Sequence, residues 1–446
     1  MGESLSQFSK EDYEALAYKI LRNIDRIINA QINVILHHKV FQNLEATWKG
    51  VFYLCQQIPL TEAVKLRLLD AKWKEIAQDI GNALEFDQSS LFKKVYSQEF
   101  DNPGGEPFGL LLYDYYIEHN EADMQTLKVI SGISASAFAP AIFGVSATFF
   151  EIESFTEFEK LYEIESLLKK EQYFSWKKLK QHPDSKFMGV CFPRVCLRKP
   201  YEFQTDKTLS FNEICTDLEH YLWANSVYCF ASVVVRSFYE TGWFYNIQGT
   251  PKDIIGGGLL ENLPTFDYPD SSSSYTRQPI ETIFKPSQEK ILNDLGFMIV
   301  LSCQYTSYLC FYRCHTIHQP DHYDKAIANL NASLILPMQH VLSVSRMAHY
   351  LKVMGREKVG SFTTASEYQS FLETWILQYT AQSAGDDEDL IKKYPLQEAN
   401  IVVKENFSNP GQYFCTLYLK PQGYLEQVEE PFLFSLSLGA LSLQTR

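Results

Sequence analysis

The 446-residue chain is 46% hydrophobic and 21% charged, enough apolar material for a large core divided among two or three domains, which excludes a disordered chain. Its 54 acidic against 40 basic residues leave a formal charge of -14, which argues against holding a phosphate backbone and favours a partner with a basic surface. Nine cysteines, an odd number with no basic and apolar leader ahead of them, point to free thiols in a reducing cytosol.

From Glu11 to about Phe41 the apolar positions Tyr13, Ala17, Ile20, Ile24, Ile27, Ile28, Ile32 and Ile35 keep helical spacing between charged residues, which predicts an amphipathic arm. Burial as a core helix is the first expectation for it, docking of its stripe on a neighbouring subunit the second. His37 and His38 read as partly exposed side chains on this arm and not as ligands. Val64, Leu66 and Leu68 alternate as in a short strand, and Trp73, Ile76, Ala77 and Ile80 return to helical period. Asp101 to Gly105, DNPGG, is a turn leading into apolar Leu110 to Leu112. It lacks the Lys-Ser/Thr of a phosphate loop. The uncharged run Val129 to Phe150 is long enough to span a bilayer, but its four serines, two glycines, Thr148 and Pro140 assign it to a tightly packed helix and turn.

Lys186 to Tyr201, KFMGVCFPRVCLRKPY, is the most informative stretch. Met188, Val190 and Phe192 alternate with Phe187, Gly189 and Cys191, apolar on both faces, which predicts a central strand that Pro193 ends by removing a donor. Arg194 and Arg198 then need partners: internal carboxylates or carbonyls first, a subunit contact second. Gly256 to Gly258 and Pro264 to Pro279 read as exposed loop and a candidate boundary. Arg346, His349, Lys352, Arg356 and Lys358 form a positive stripe at helical spacing. On so acidic a chain, its expected partners are acidic neighbours and not nucleic acid. Gly385 to Asp389, GDDED, reads as a solvated loop without calcium-loop spacing. After Pro395 the texture turns to strands: Ile401 to Val403, the turn Ser408 to Gly411, Gln412 to Leu419, and then Phe432, Phe434, Leu436 and Leu438 alternating with Leu433, Ser435, Ser437 and Gly439. Such a strand closes its own sheet or lends its edge to another chain.

The best metal candidate is Cys310, Cys314, His315, His318 and His322, whose spacing would place Cys310, Cys314 and His318 along one helical face. These cysteines sit among Phe311 and Tyr312 as core residues do, and structural zinc sites recruit paired ligands from two elements, so no zinc is assigned. GxSxG, HExxH, Walker and GxGxxG patterns are absent. No catalytic residue, cofactor or metal is assigned.

Taken in order, Trp48-Lys49-Gly50, FDQSSLFKKVYSQEF, PGGEPFGLLLYDYY, Phe138-Ala139-Pro140, Trp176, PRVCLRKPY, YLWANSVYCFA, SRMAHYLK, PLQEANIVV and PGQYFC resemble the large sheath subunit of type VI secretion systems, the TssC, VipB or EvpB family. The resemblance runs from about Ala46 to Leu438. It implies a mixed α/β, contractile tail-sheath-like subunit with a helical arm (1–45), a core domain (46–355) and a β-rich C-terminal domain (356–446). It implies a cytoplasmic, non-enzymatic structural role: pairing with a small TssB/VipA-like subunit, stacking as a helical sheath around an Hcp-like inner tube, attachment to the envelope through a baseplate, and recycling by an AAA+ ATPase. In the family, C-terminal strands interlace with strands of the small partner and of adjacent protomers. That suits Tyr413, Cys415, Leu417 and Leu419 with Phe432, Phe434, Leu436 and Leu438. A sheath of a related phage-tail-like injection machine is the alternative, with an enzyme lacking any known motif behind it.

Overall fold

A computed structural model describes residues 10–59, 63–102, 104–160, 164–202, 211–250, 256–265, 278–303, 306, 308–325, 329, 332–333, 335–358, 365–381, 394–405, 413–421 and 432–438. The expected single arm helix is two, α1 (Lys10–Leu36) and α2 (Lys39–Gln57), because His38 takes an extended conformation between them. The apolar stripe of α1 is not a core face. Ile24, Ile27 and Ile35 are 46%, 57% and 54% exposed, and Leu36 is its one buried residue. Burial resumes in α2, where a Cβ on Gly50 would stand 2.3 Å from the Tyr228 ring; glycine there lets two helices cross closely.

Residues 64–72 do not form the expected strand. The amphipathic stretch at Trp73 does form α3 (Trp73–Asn82). β1 (Leu111–Ile117) follows the DNPGG turn, where Gly104 takes the left-handed φ of +84°. The uncharged run then divides. Its first part belongs to α4 (Glu121–Ala137), opened by Asn120, whose side chain accepts from the Asp123 N–H, and closed by Phe138 in the left-handed region. The remainder supplies β2 (Ala141–Val145), a strand the run concealed. Among the described residues, no helix is long and apolar enough to cross a membrane.

After α5 (Phe174–Gln181) comes the predicted central strand, β3 (Met188–Phe192), every residue of it buried. Pro193 ends it, and the chain makes β4 (Val195–Cys196), β5 (Trp223–Ala224), α6 (Val227–Thr241), β6 (Leu259–Leu260), α7 (Pro286–Asp294), β7 (Met298–Ser302) and β8 (Leu309–Phe311). The main sheet has the order β1-β2-β3-β7-β8-β6, parallel from β1 to β7 and antiparallel from β7 to β6. Parallel pairing requires crossovers, and their helices cover both faces. Cys191 joins Ile142, Met298 and Val300 on the face packed by α6 and α8 (Met338–Lys358). Met188, Val190 and Phe192 join Phe143 and Ile299 on the face packed by α4 and α5.

The Gly256 to Gly258 run is buried, contrary to its reading as exposed loop: Phe311 O lies 1.9 Å from where a Gly258 Cβ would stand. The segment 266–277 and the GDDED stretch lie outside the described residues. Both arginines after β3 find internal carboxylates. Arg194 binds Glu281 through two bonds of 2.9 and 2.6 Å, and Arg198 pairs with Glu45 and Glu213, each at 2.6 Å.

Lys352 and His349 of the basic stripe on α8 face inward while Arg356 is exposed; the hydrogen bonds of the stripe go to carbonyls and its stacking to rings, with Asp101 the acidic neighbour of Lys352 and Arg356. Arg346 lies 4.4 Å over Phe238, Lys352 donates to Ser136 O at 3.0 Å beneath Tyr96, Phe100 and Phe138, and Arg356 donates to Phe100 O at 2.9 Å; Lys358 is the last residue of the helix. Burial pulls the Lys352 ammonium down to about 7, against the Asp101 charge. His349 meets Ala137 O at 2.8 Å, and burial lowers its imidazole to about 4, with help from Lys352 and Arg346. A histidine held neutral contributes stability that is complete above the unfolded value of 6.5 and is lost as pH falls through about 4. Urea midpoints should therefore fall between pH 6.5 and 4 by more in the wild type than in His349→Gln. The difference should approach about 3 kcal/mol; equal slopes would contradict a neutral buried His349.

Candidate assembly interface

The C-terminal strands form a separate sheet packed against α8 and a further helix. α9 (Ala365–Ile376) follows α8, and after it come β9 (Leu396–Glu405), β10 (Tyr413–Pro421) and β11 (Phe432–Leu438). They pair antiparallel in the order β11-β10-β9. Period two places Cys415, Leu417 and Leu419 on the face of β10 that enters the main core, where they meet Tyr368, Leu372 and Ile376 of α9 and Ile401 and Val403 of β9. Tyr413, half-buried, packs its ring 5.7 Å from Tyr368. Phe414, next along the strand, is exposed. Four of the eight expected strand positions, Tyr413, Cys415, Leu417 and Leu419, thus share an inward face. The other four lie in register beside them: Phe432 opposite Leu419, Phe434 opposite Leu417, Leu436 opposite Cys415, Leu438 opposite Tyr413.

The two edges of this sheet differ. β9 is partly closed by its own chain: Val403 N–H donates to the Gln369 side chain at 3.1 Å, Ala381 N–H donates to Leu396 O at 3.0 Å, and Thr380 bridges Leu396 in parallel. β11 ends the sheet and pairs, among the described residues, with β10 alone. An unclosed edge is a row of backbone donors and acceptors open to another strand.

The arm is latched to the body at its break. Asn33 accepts from Ile214 N–H at 2.9 Å, Asn29 accepts from Asn212 N–H at 3.2 Å, and Gln42 donates to Glu219 O at 3.1 Å. Beneath them Arg198 holds Glu45 of α2 and Glu213, while Glu213 also accepts from Tyr201 N–H at 2.9 Å. Burial alone would lower the Arg198 guanidinium, and the two carboxylates outweigh it and keep it charged. Sequence reasoning missed Glu45 and Glu213 as partners because their separation along the chain leaves no local signal.

The sequence-level metal candidate does not assemble as its spacing suggested. Cys310 lies in β8, so no helical face carries it to Cys314 and His318. Cys314 meets Ile247 O at 3.7 Å, His318 meets the Ser185 hydroxyl at 2.8 Å, and His322 is exposed.

A family model described as EvpB/VC_A0108, tail sheath N-terminal domain, matches residues 18–318, and a second, the EvpB/VC_A0108 tail sheath gpW/gp25-like domain, matches residues 327–438. The "Type VI secretion system sheath protein TssC1" of Pseudomonas aeruginosa is 33% identical over 415 residues, which cover 91% of this chain and 82% of that protein.

The inward and outward positions of β10 should separate in mutagenesis. Leu417→Asp, which buries an unpaired charge, should cost about 3 kcal/mol or more, whereas Phe414→Asp should change stability by no more than about 0.5 kcal/mol. Thermal unfolding followed by circular dichroism measures both, and similar losses would contradict the assigned faces.

Proposed function

The chain belongs to the EvpB/VC_A0108 tail sheath family and is a sheath subunit of a type VI secretion system; we propose that it does its work as the larger half of a heterodimer, without catalysing a reaction. A small TssB/VipA-like subunit is its immediate partner. Copies of the pair stack helically around an Hcp-like inner tube, seated on a baseplate, and contraction of the stack drives the tube into a target cell. In this reading residues 1–45 are the arm, 46–355 the body and 356–446 the domain that knits protomers together. The cytoplasm is where such a sheath is built, and a recycling AAA+ ATPase would act on it once contracted.

The observation that carries this reading is the asymmetry of the C-terminal sheet, partly closed at β9 and, among the described residues, unpaired on the outer side of β11. A partner strand laid beside β11 satisfies backbone groups that would otherwise face water, and its side chains extend a core already built from Cys415, Leu417 and Leu419. No chemistry is needed for the power stroke. An extended lattice held by fewer or poorer contacts than the contracted one stores the work, and the baseplate biases the choice between them.

The test is a pair of neighbouring substitutions in β11. Phe434 stands opposite the buried Leu417, and Ser435 opposite Thr416. With the small subunit co-expressed, Phe434→Asp should abolish tubes in electron micrographs while the heterodimer keeps its helix content by circular dichroism, and Ser435→Asp should be milder. Normal tubes from Phe434→Asp would refute the placement of the protomer-linking edge. Loss of folding along with tubes would show that the strand serves only an internal sheet.

A further inference from the structure

His37, read from sequence as a partly exposed side chain, stands at the break between α1 and α2, and folding brings it to two residues far along the chain. Its Nε2 lies 3.4 Å from Oε1 of Glu213, and ligand atoms of His37, Glu213 and Cys215 all lie within 4.8 Å of one another. Nε2 is buried and makes no aligned hydrogen bond. Glu213 divides the duties of its oxygens. Oε2 takes Arg198 Nη1 at 2.6 Å and Tyr201 N–H at 2.9 Å, while Oε1 has a longer contact of 3.3 Å to Arg198 Nη2 and faces His37.

The charges around this point do not balance. Glu45 and Glu213, with side chains 10% and 1% exposed, share the one guanidinium of Arg198, itself 8% exposed, so one negative charge is left over in a largely dehydrated cluster. The His37 ring, stacked 4.2 Å from that of His220, faces this excess. A divalent cation bound with a Cys215 thiolate would balance the sum: Arg198 and the metal supply three positive charges against three from Glu45, Glu213 and Cys215. A mixed imidazole, carboxylate and thiolate set suits Zn2+.

We propose that His37, Glu213 and Cys215 form a zinc-type site that clamps the α1–α2 break onto the segment 211–220. Binding exchanges the thiol proton for the metal: Cys215 releases H+ to solvent as its sulfur bonds Zn2+, and Glu213 and neutral His37 enter as they stand. Among the described residues no fourth ligand atom joins the three, which leaves a water to complete a tetrahedron. The bonds from Asn29, Asn33 and Gln42 already hold the same segment in place, so the metal pins an interface that is formed beforehand. The site is independent of the assembly reading.

The test uses the full chain, with its small sheath partner where solubility requires it, stripped by a chelator and titrated with Co2+ as a visible stand-in for Zn2+. The expected result is one equivalent bound, with tetrahedral visible bands and a thiolate-to-metal charge-transfer band. Cys215→Ser should lose the charge-transfer band and Cys310→Ser should keep it. On the unmodified protein, Zn2+ should shield Cys215 from alkylation, read by mass spectrometry, while the exposed Cys55 stays reactive. The labelling decides the matter if Cys215→Ser fails to fold. A band that survives Cys215→Ser or vanishes in Cys310→Ser, or alkylation of Cys215 unaffected by Zn2+, would overturn the site.

Discussion

The structure depends on a strand that can afford no exposed face. β3 is buried throughout, so both sides of the sheet around it must be roofed, and the parallel connections from β1 to β7 supply the roofing helices as they cross. The rest is arranged by that requirement. α4 and α5 close one side, and α6 and α8 close the other. The second roof then does more than cover the sheet, because the C-terminal strands share its hydrophobic cluster through Cys415, Leu417 and Leu419. β10 is therefore joined to the central sheet through continuous packing.

Where β3 is walled in on both sides, β11 pairs, among the described residues, with β10 alone. Each backbone hydrogen bond gained at its open edge contributes only about 0.5–1.5 kcal/mol net, but several form together when a strand is added. In the proposed sheath, small differences in such contacts, repeated over every subunit, would sum to a large directional drive. In the proposed reading, the energetic difference between states lies at the joints between subunits.

What the sequence disclosed was set by locality. Period two in Met188 to Phe192 and in Phe432 to Leu438 foretold strands, and period 3.6 after Trp73 foretold α3. β3 was legible despite burial on both faces because Pro193 marks its end, whereas β2 was hidden inside a longer uncharged run whose Pro140 and Gly144 read as turn residues. The stripe of α1 had a correct period but an incorrect first destination: periodicity says that a face is apolar and not what covers it. Residues 64–72 alternate without finding a ladder, and the glycines at 256–258 serve close packing where a loop was expected. Charge told only part of the story on α8: Asp101 neighbours Lys352 and Arg356, but their direct contacts are with rings and carbonyls. The union of His37, Glu45, Arg198, Glu213 and Cys215 is a product of tertiary folding alone.

The most direct measurement is an electron cryo-microscopy map of the tubes formed when this chain is co-expressed with its small sheath subunit. The expected map shows the β11-β10-β9 sheet extended beyond β11 by a strand from another chain, with that strand's backbone in hydrogen-bonding distance of β11. Failure to form tubes, or tubes in which the outer edge of β11 faces solvent, would contradict the placement of the joint and the function drawn from it.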